Sequence, residues 1–448
     1  MTLPIDQSRL AENAARLVDL ARCAGASEAE VVAATGLSLG VDVRDGAVEE
    51  TDRSEGDDVT LRVFVGKRVA SVSANAFGDG ECLAERAVAM ARAAPEDPYA
   101  GLAPEEDLLK DAFPDLELLD TTSVAAEALV ERARAAEAAA LGVSGVSKSG
   151  GAHASWSISG LVLVTSNGFS GGYLASRHGV SATAIAGEGT AMERDYDHDG
   201  RAFLEDLEAA DAIGRRAGER AAARVNPRKL SSQRAHVIYE PRTARTLLGH
   251  FAGAINGAGI TRGTSFLKDR LGEAVFSPTI TIDDDPTIRR GPASRPFDGE
   301  GRAAWPLRLV EEGRLTQWLL DGACARELGL TSNGRAARSG AGTSPSPTNL
   351  TLRPGTRSRE EMLAEIGTGL LVTDLIGHGV NGVTGDYSRG ASGFWIEDGA
   401  IAYPVSEITL AGNLVDMFAS LEPANDLDTR SALRVPSVLV KDMAIAGS

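Results

Sequence analysis

The residues best suited to chemistry lie in a short segment near the C-terminus. Between two glycines, the sequence places an acid, a phenol and a guanidinium at Asp386, Tyr387 and Arg389. Such groups can bind or orient a polar substrate, and functional residues are often carried on loops. We therefore predict a loop here that lines a substrate or partner cleft. An internal salt bridge that fixes the loop is an equally open alternative.

Two histidines are the other candidates. His250 falls in an apolar helical segment, and His378 lies between two glycines. A histidine on an apolar helix is usually packed and hydrogen-bonded, and we expect the same of His250. The two imidazoles could join a non-standard metal site, but neither HxxxH nor HxH spacing supports it. We assign no metal to this chain.

Two acidic runs and a pair of glycines offer weaker signals. Residues 195–200 and 283–285 carry the oxygen ligands that calcium prefers, but neither run continues to the distal glutamate of a calcium loop. Both are predicted to be solvated acidic turns. The Gly-Thr-Gly sequence at 367–369 lacks the third glycine of a nucleotide fingerprint, so we predict a strand end or helix cap there.

The composition is that of a globular protein with several domains. The chain has 448 residues, 43% of them hydrophobic, and a formal net charge of −18. That charge disfavours nucleic-acid binding. Cys23, Cys82 and Cys324 form no C-x-x-C pair, which predicts ordinary buried thiols in a reducing compartment. The chain lacks a basic start and a long apolar run, so we expect a cytoplasmic protein away from membranes.

The elements that must position these groups follow an α+β pattern. Alternating apolar residues predict antiparallel sheets, and helical periodicity predicts flanking helices, two of them over about 122–141 and 202–224. Prolines punctuate the acidic stretch after the first unit. The predicted domains are an N-terminal α+β domain at 1–95, a linker at 96–120, a central α+β domain at 121–228 and a β-rich C-terminal domain at 229–448.

A β-hairpin is predicted directly after the chemical segment. Residues 393–396 are a short apolar run, Asp398-Gly399 is a turn signal, and residues 400–405 return. The hairpin places the glycine-bounded segment beside a packed sheet.

Several segments together resemble the TldD/PmbA family of peptidases. The main ones are residues 243–257 and 384–413, which contain TARTLLGHFAGAING after Arg242 and TGDYSRGASGFWIEDG before the return strand. Shorter matches lie at 60–67, 263–266, 317–320 and 367–370. The resemblance reaches along nearly all of the chain and implies a C-terminal domain built around a curved sheet, with a protease cavity between subunits.

The resemblance also implies what this chain lacks. Members of the TldD branch carry H-E-x-x-x-H on a helix, where two histidines and a distant cysteine hold zinc and the glutamate is the general base. Alignment puts Gly249 at the first ligand, His250 at the general base and Ala254 at the second ligand. No cysteine follows residue 413. We therefore predict no catalytic residue and no cofactor in this chain, with zinc in a partner subunit.

The missing ligands match the PmbA branch, also called TldE. By resemblance, the chain is the non-catalytic subunit of a heterodimeric zinc metalloprotease that processes or degrades unfolded peptides, including leader peptides of antibiotic precursors. Its partner would be a TldD-like subunit, and a homodimer is possible without that partner. Two alternatives stay open: a self-sufficient hydrolase with an unrecognised site around His250 or His378, and a regulator of a DNA gyrase-type target.

Overall fold

One long antiparallel sheet runs through both predicted N-terminal units. A computed structural model describes residues 5–110, 113–339 and 342–447. Within them, six strands form a sheet in the order β3-β2-β1-β4-β5-β6. Strands β1 and β4, one from each unit, pair over most of their length. The strands are β1 (Glu28–Arg44), β2 (Ala47–Val65), β3 (Arg68–Ala74), β4 (Val146–Thr165), β5 (Ser170–Ala186) and β6 (Glu193–Arg201).

Four helices cover one face of this sheet. Side chains alternate along a strand, so Val31 and Val41 of β1 point to the same side. Val31 packs under the first two helices and Val41 under the next two. The predicted helix over 202–224 begins only at residue 210, because residues 204–206 form a short 3-10 turn whose Leu204 N–H donates to Asp120. The helices are α1 (Gln7–Cys23), α2 (Gly80–Ala93), α3 (Ala126–Leu141) and α4 (Ala210–Ala223).

The opposite face of the sheet meets the linker and the C-terminal region. Ala103 and Leu108 of the linker are buried in one cluster with Leu163 and Phe169 of the sheet region and Phe297 of the C-terminal region. The predicted linker is therefore packed between them. The domain boundaries stay a prediction, since the sheet itself crosses from the first unit to the second.

The C-terminal region is built around a strongly curved sheet. Within the described residues, its strand order is β16-β15-β14-β7-β19-β17, and a further pairing of β16 with β19 closes the sheet on itself. The α+β fold with a β-rich C-terminal part is confirmed. Its strands are β7 (Gln233–Tyr239), β8 (Ile282–Asp284), β9 (Leu307–Glu311), β10 (Arg314–Leu315), β11 (Ala336–Ser339), β12 (Gly342–Pro345), β13 (Leu350–Leu352), β14 (Gly369–Ile376), β15 (Asp386–Glu397), β16 (Ala400–Asn413), β17 (Glu422–Pro423), β18 (Leu433–Arg434) and β19 (Val438–Ala446).

One helix packs into the concave side of this sheet. It starts at Pro241, and proline suits this position because the N–H that it lacks would have no partner within the helix. The helix buries Leu247, Leu248 and Phe251 in the main core cluster. Gly367 caps a later helix with φ +64°, as predicted for the 367–369 glycines. No helix in the described ranges is long and apolar enough to cross a membrane. The helices are α5 (Pro241–Ala254), α6 (Gly257–Thr261), α7 (Gly322–Leu328), α8 (Arg359–Ile366) and α9 (Leu414–Ala419).

The predicted hairpin is confirmed, but the prediction of a loop directly before it is wrong. Asp398 and Gly399 both have positive φ, 50° and 76°, as a tight hairpin turn requires. Residues 386–390, however, belong to β15 and pair with residues 409–413 of β16. Their side chains alternate accordingly: Asp386 is exposed and Tyr387 is 2% exposed. The segment is a strand because β16 continues far enough to satisfy its backbone.

The acidic run at 195–200 is not a solvated turn. It lies in β6, where Asp195 and Asp197 are buried against arginines of α4. Arg216 and Arg220 contact Asp197 at 2.7 and 3.1 Å, and Arg224 contacts Asp195 at 3.1 Å. Alternate strand residues lie about 6.7 Å apart and helical residues four positions apart about 6 Å, so arginines at this spacing can follow the acids along β6. The prediction failed because these partners are distant in sequence.

The run at 283–285 is also wrong as a solvated turn. Asp283 and Asp284 belong to β8, and Asp284 is fully buried. Its carboxylate accepts from Arg335 Nε at 2.5 Å and from Thr348 Oγ1 at 2.9 Å. A buried carboxylate needs such partners, and here the arginine is buried with it.

Only one of the cysteines is a buried thiol. Cys324 is buried, whereas Cys23 and Cys82 are exposed near the end of α1 and the start of α2. The prediction of buried thiols is therefore wrong for two of the three. Burial raises the pKa of Cys324 to about 12, so this thiol is a poor nucleophile.

Candidate functional site

A cleft lies where α5, the start of β15 and the loop before β15 meet. It has a volume of about 360 Å³. The structure brings together five of the residues named from the sequence, four of which come from α5 and the loop. Asp386 and Tyr387 do not line it. The lining residues are Gly249, His250, Gly253, Ala254, Thr264, Ser265, Phe266, His378, Val380, Gly382, Arg389 and Leu414.

Helix α5 presents little side chain to this cleft. A Cβ built on Gly249 would meet only Leu433 Cδ1, at 3.6 Å, and one on Gly253 would meet nothing within 4 Å. Ser265 Oγ donates to the carbonyl of Ala254 at 2.5 Å, which ties the neighbouring wall to the end of the helix. The α5 face where the family motif would place zinc ligands therefore leaves open space in the cleft.

The loop at 377–382 forms the opposite wall and owes its path to two glycines. Gly377 turns the chain with φ +82°. Gly379 lies so close to β15 that a Cβ would fall 1.8 Å from the carbonyl oxygen of Ser388. The N–H of Ser388 donates to the Gly379 carbonyl at 2.6 Å. These contacts hold His378 at the exposed rim.

His250 is packed but not fully hydrogen-bonded. Its ring meets that of Tyr387 edge to face, with centroids 6.3 Å apart. Its Nε2 is buried and has no hydrogen-bond partner among the described residues, contrary to the expected bonded histidine. Burial and the neighbouring charge of Arg389 lower the pKa of His250, so the imidazole is neutral at pH 7.

Arg389 has no ionic partner in the described part of the chain. Its Nε is buried without a hydrogen bond, while the side chain lines the cleft. Among the residues that the structure describes, Asp386 does not form the internal salt bridge considered for it. That carboxylate instead accepts from Thr384 Oγ1 at 2.6 Å and from Asn413 Nδ2 at 3.2 Å. Arg389 therefore brings an unneutralised positive charge to the cleft.

Tyr387 lies behind the cleft. It is buried in the main core, and burial raises the pKa of its phenol. It packs on His250 and so fixes the position of that ring.

The cleft does not fit a zinc ion. Gly249 and Ala254 supply no ligand atoms, which leaves only the imidazoles of His250 and His378, with the cation of Arg389 beside them. Structural and catalytic zinc sites use at least three protein ligands. Across residues 5–110, 113–339 and 342–447, no group of three His, Cys, Asp or Glu side chains is arranged to hold a metal.

Residues 264–266 form a third wall of the cleft, which the sequence did not predict. Thr264 and Phe266 line the cleft beside Ser265, and the Phe266 N–H donates to the Gly382 carbonyl at 3.1 Å. The resemblance included residues 263–266, but nothing in their types predicted a place in the cleft.

The C-terminal domain combines a curved sheet with a cleft in which the motif positions Gly249 and Ala254 carry no ligand atoms. Family models described as PmbA/TldA metallopeptidase domain 1, central domain and C-terminal domain match residues 29–94, 120–225 and 232–447. The chain belongs to the PmbA/TldD metallopeptidase family. It is 38% identical over 424 residues to the metalloprotease PmbA of Escherichia coli O157:H7, covering 94% of this chain and 92% of that one.

Other relatives extend the comparison. A metalloprotease TldD homologue of Buchnera aphidicola is 27% identical over 168 residues, 37% of this chain and 35% of its own length. A Bacteroides thetaiotaomicron protein described as a proposed modulator of DNA gyrase is 26% identical, with a TM-score of 0.91 over 100% of both chains. TldE from Thermococcus kodakarensis shares the fold at 21% identity, with a TM-score of 0.86 over 97% of this chain and 100% of its own.

Proposed function

We propose that this chain is the non-catalytic, PmbA/TldE-type subunit of a heterodimeric zinc peptidase. A TldD-like partner carries the zinc and the general base. The present chain docks against that partner and forms one wall of the chamber that admits unfolded peptides, including leader peptides of antibiotic precursors. The compartment proposed is the cytoplasm.

This proposal rests on the face of α5 that corresponds to the family's zinc-binding motif and carries no zinc ligands at Gly249 and Ala254. Gly249 and Ala254 stand where ligands would be, yet the helix is packed in an intact core and its face lines an open cleft. A cleft without ligands fits a subunit that binds and encloses better than one that cleaves. The TldD homologue among the relatives supports a family with both kinds of chain.

Reconstitution tests the proposal. The purified chain alone is expected to hold no stoichiometric zinc and to leave a labelled unfolded peptide intact. Adding a TldD-like protein with H-E-x-x-x-H from the same organism should produce cleavage that a chelator stops. The matched control replaces the partner's motif glutamate with glutamine, which should abolish cleavage. Stoichiometric zinc and chelator-sensitive cleavage by the chain alone would refute the proposal.

Two other functions give different results in the same system. If the chain were a self-sufficient hydrolase, cleavage would persist with the inactive partner and vanish on His250→Ala with His378→Ala. The description of the Bacteroides structure favours a gyrase regulator as a second candidate. The acidic chain would then bind a basic protein rather than DNA. Capture of gyrase by the chain without any TldD-like protein would support it.

A further inference from the structure

The cleft is cationic in an otherwise acidic protein. The chain carries a formal net charge of −18, yet no Asp or Glu appears among the described residues that line the cleft. Arg389 supplies a full positive charge there, with the imidazoles of His250 and His378 nearby. An acid-free cationic cleft attracts an anion.

Two buried donors in this cleft lack partners. The Nε atoms of Arg389 and His250 are both buried, and neither has a hydrogen-bond partner among the described residues. A buried polar atom without a partner is unfavourable, and buried groups in proteins are nearly always satisfied. Both side chains line the same cleft, and the half-buried Arg389 forms no hydrogen bond or ion pair among the described residues, so its terminal nitrogens can reach a ligand group there.

We propose that this cleft binds a carboxylate of the peptide substrate. A carboxylate offers two acceptor oxygens and matches the guanidinium fork of Arg389. The imidazole of His250 lines the same cleft. The inference rests on the proposed function, which makes the ligand a peptide, and it gives this subunit a recognition site of its own.

The rest of the lining fits a residue that carries the carboxylate. Phe266, Val380 and Leu414 add apolar surface to a cleft of about 360 Å³. That volume lies within the range of small-ligand pockets, which combine apolar walls with a few placed polar groups. The carboxylate could be the C-terminus of the peptide or an Asp or Glu side chain, and both present the same chemistry.

Peptide binding to the purified full chain tests the inference. The probe is fluorescein-labelled Ala-Ala-Gly-Ala-Leu with a free C-terminus, followed by anisotropy. Its C-terminal amide should bind about tenfold more weakly or worse. Two further C-terminal amides, with Glu or Gln in place of the fourth residue, distinguish a side-chain carboxylate from the C-terminal one. Recovery with Glu but not Gln would assign a side-chain carboxylate, and no recovery would assign the C-terminus. Equal affinity of all four peptides would overturn the inference.

Variants locate the site. Arg389→Gln should remove the difference between free acid and amide, whereas Arg389→Lys should keep part of it because the charge remains. Arg234→Gln is the matched control, since Arg234 is an exposed arginine of the same sheet that pairs with Asp442. A difference that persists in Arg389→Gln would contradict the assignment. The comparison on the unmodified chain stands even where a variant fails to fold.

The outcomes separate this inference from the proposed function. If the reconstituted pair cleaves peptide with zinc but the chain does not distinguish acid from amide, only the inference fails. If the chain distinguishes them but holds zinc and cleaves alone, only the proposed function fails.

Discussion

Arg338 Nη2 lies 2.7 Å from Glu30 Oε2, which joins the C-terminal region to the centre of the N-terminal sheet. Arg62 reaches the same carboxylate from β2 at 3.1 Å, and Glu30 is 3% exposed. Burial alone would raise the pKa of Glu30, but the two guanidiniums outweigh it and hold the pKa below its usual value. The two parts of the molecule are thus joined by a charge that must stay ionised.

Glu30→Gln should destabilise the protein at pH 7 and matter less in acid. A carboxyl whose pKa is lowered by folding stabilises the folded state above its unfolded pKa of 4.5, and that contribution is lost as pH falls through the folded value. Removing one partner of such a buried cluster costs about 3 kcal/mol. The difference in urea midpoint between variant and wild type should be smaller at pH 3 than at pH 7. An equal difference at both values would contradict the charge argument.

Asp195→Asn should be among the most destabilising single changes. Asp195 is 3% exposed and pairs with Arg224 at 3.1 Å and Arg242 at 2.5 Å, which links β6 to α4 and α5. Its loss takes one carboxylate from each guanidinium, at a cost of about 3 kcal/mol. Arg242 keeps Glu240 at 2.9 Å, and Arg224 keeps Asp374 at 3.4 Å. Thermal unfolding measures it. The control is Arg53→Gln, whose pair with Glu55 is exposed and should contribute under about 1 kcal/mol.

Local patterns in the sequence predicted the elements that depend on neighbours along the chain. The Asp398-Gly399 hairpin and the bare motif face of α5 are examples, because turn chemistry and motif spacing involve few residues. Pairings across long separations were not predicted. Glu30 and Arg338 are 308 residues apart, and Asp195 and Arg242 are 47 apart.

The cleft was predicted only in part for the same reason. His250 and Arg389 could each be named, but their meeting depends on the packing of β15 against α5, where the ring of Tyr387 contacts that of His250. The acids of β6 carried a usable signal in hindsight. The sequence has acids at alternate positions of β6 and arginines about one helical turn apart at Arg216 and Arg220, which pair with Asp197. Such a pattern predicts a strand and a helix joined by ion pairs.

Glu300→Gln should remove part of the pH dependence of stability. Burial, with the nearby charge of Asp298, raises the pKa of Glu300 to about 7, against the opposing charge of Arg302. Between 4.5 and about 7 the folded state keeps a proton that the unfolded state has lost, so wild-type stability falls as pH rises. The variant cannot ionise there.

The free energy of unfolding of Glu300→Gln, measured relative to wild type, should therefore rise by about 1 to 3 kcal/mol from pH 5 to pH 8. Urea unfolding at several pH values measures it. The exposed Glu106, changed to Gln, is the control and should show no such shift. A constant difference across this range would mean that Glu300 is ionised throughout.

Gly379→Ala should disrupt the cleft without disturbing the core. The new methyl would overlap the Ser388 carbonyl at 1.8 Å, so the loop must move away from β15 and carry His378 with it. We expect a stability loss of about 1 to 3 kcal/mol together with weaker binding of the free-acid peptide. Gly377→Asn is the matched control, because a Cβ there meets nothing within 4 Å and asparagine accepts positive φ more readily than most residues. Peptide anisotropy and thermal unfolding on both variants test this. Unchanged binding in Gly379→Ala would show that this loop is not a wall of the binding cleft.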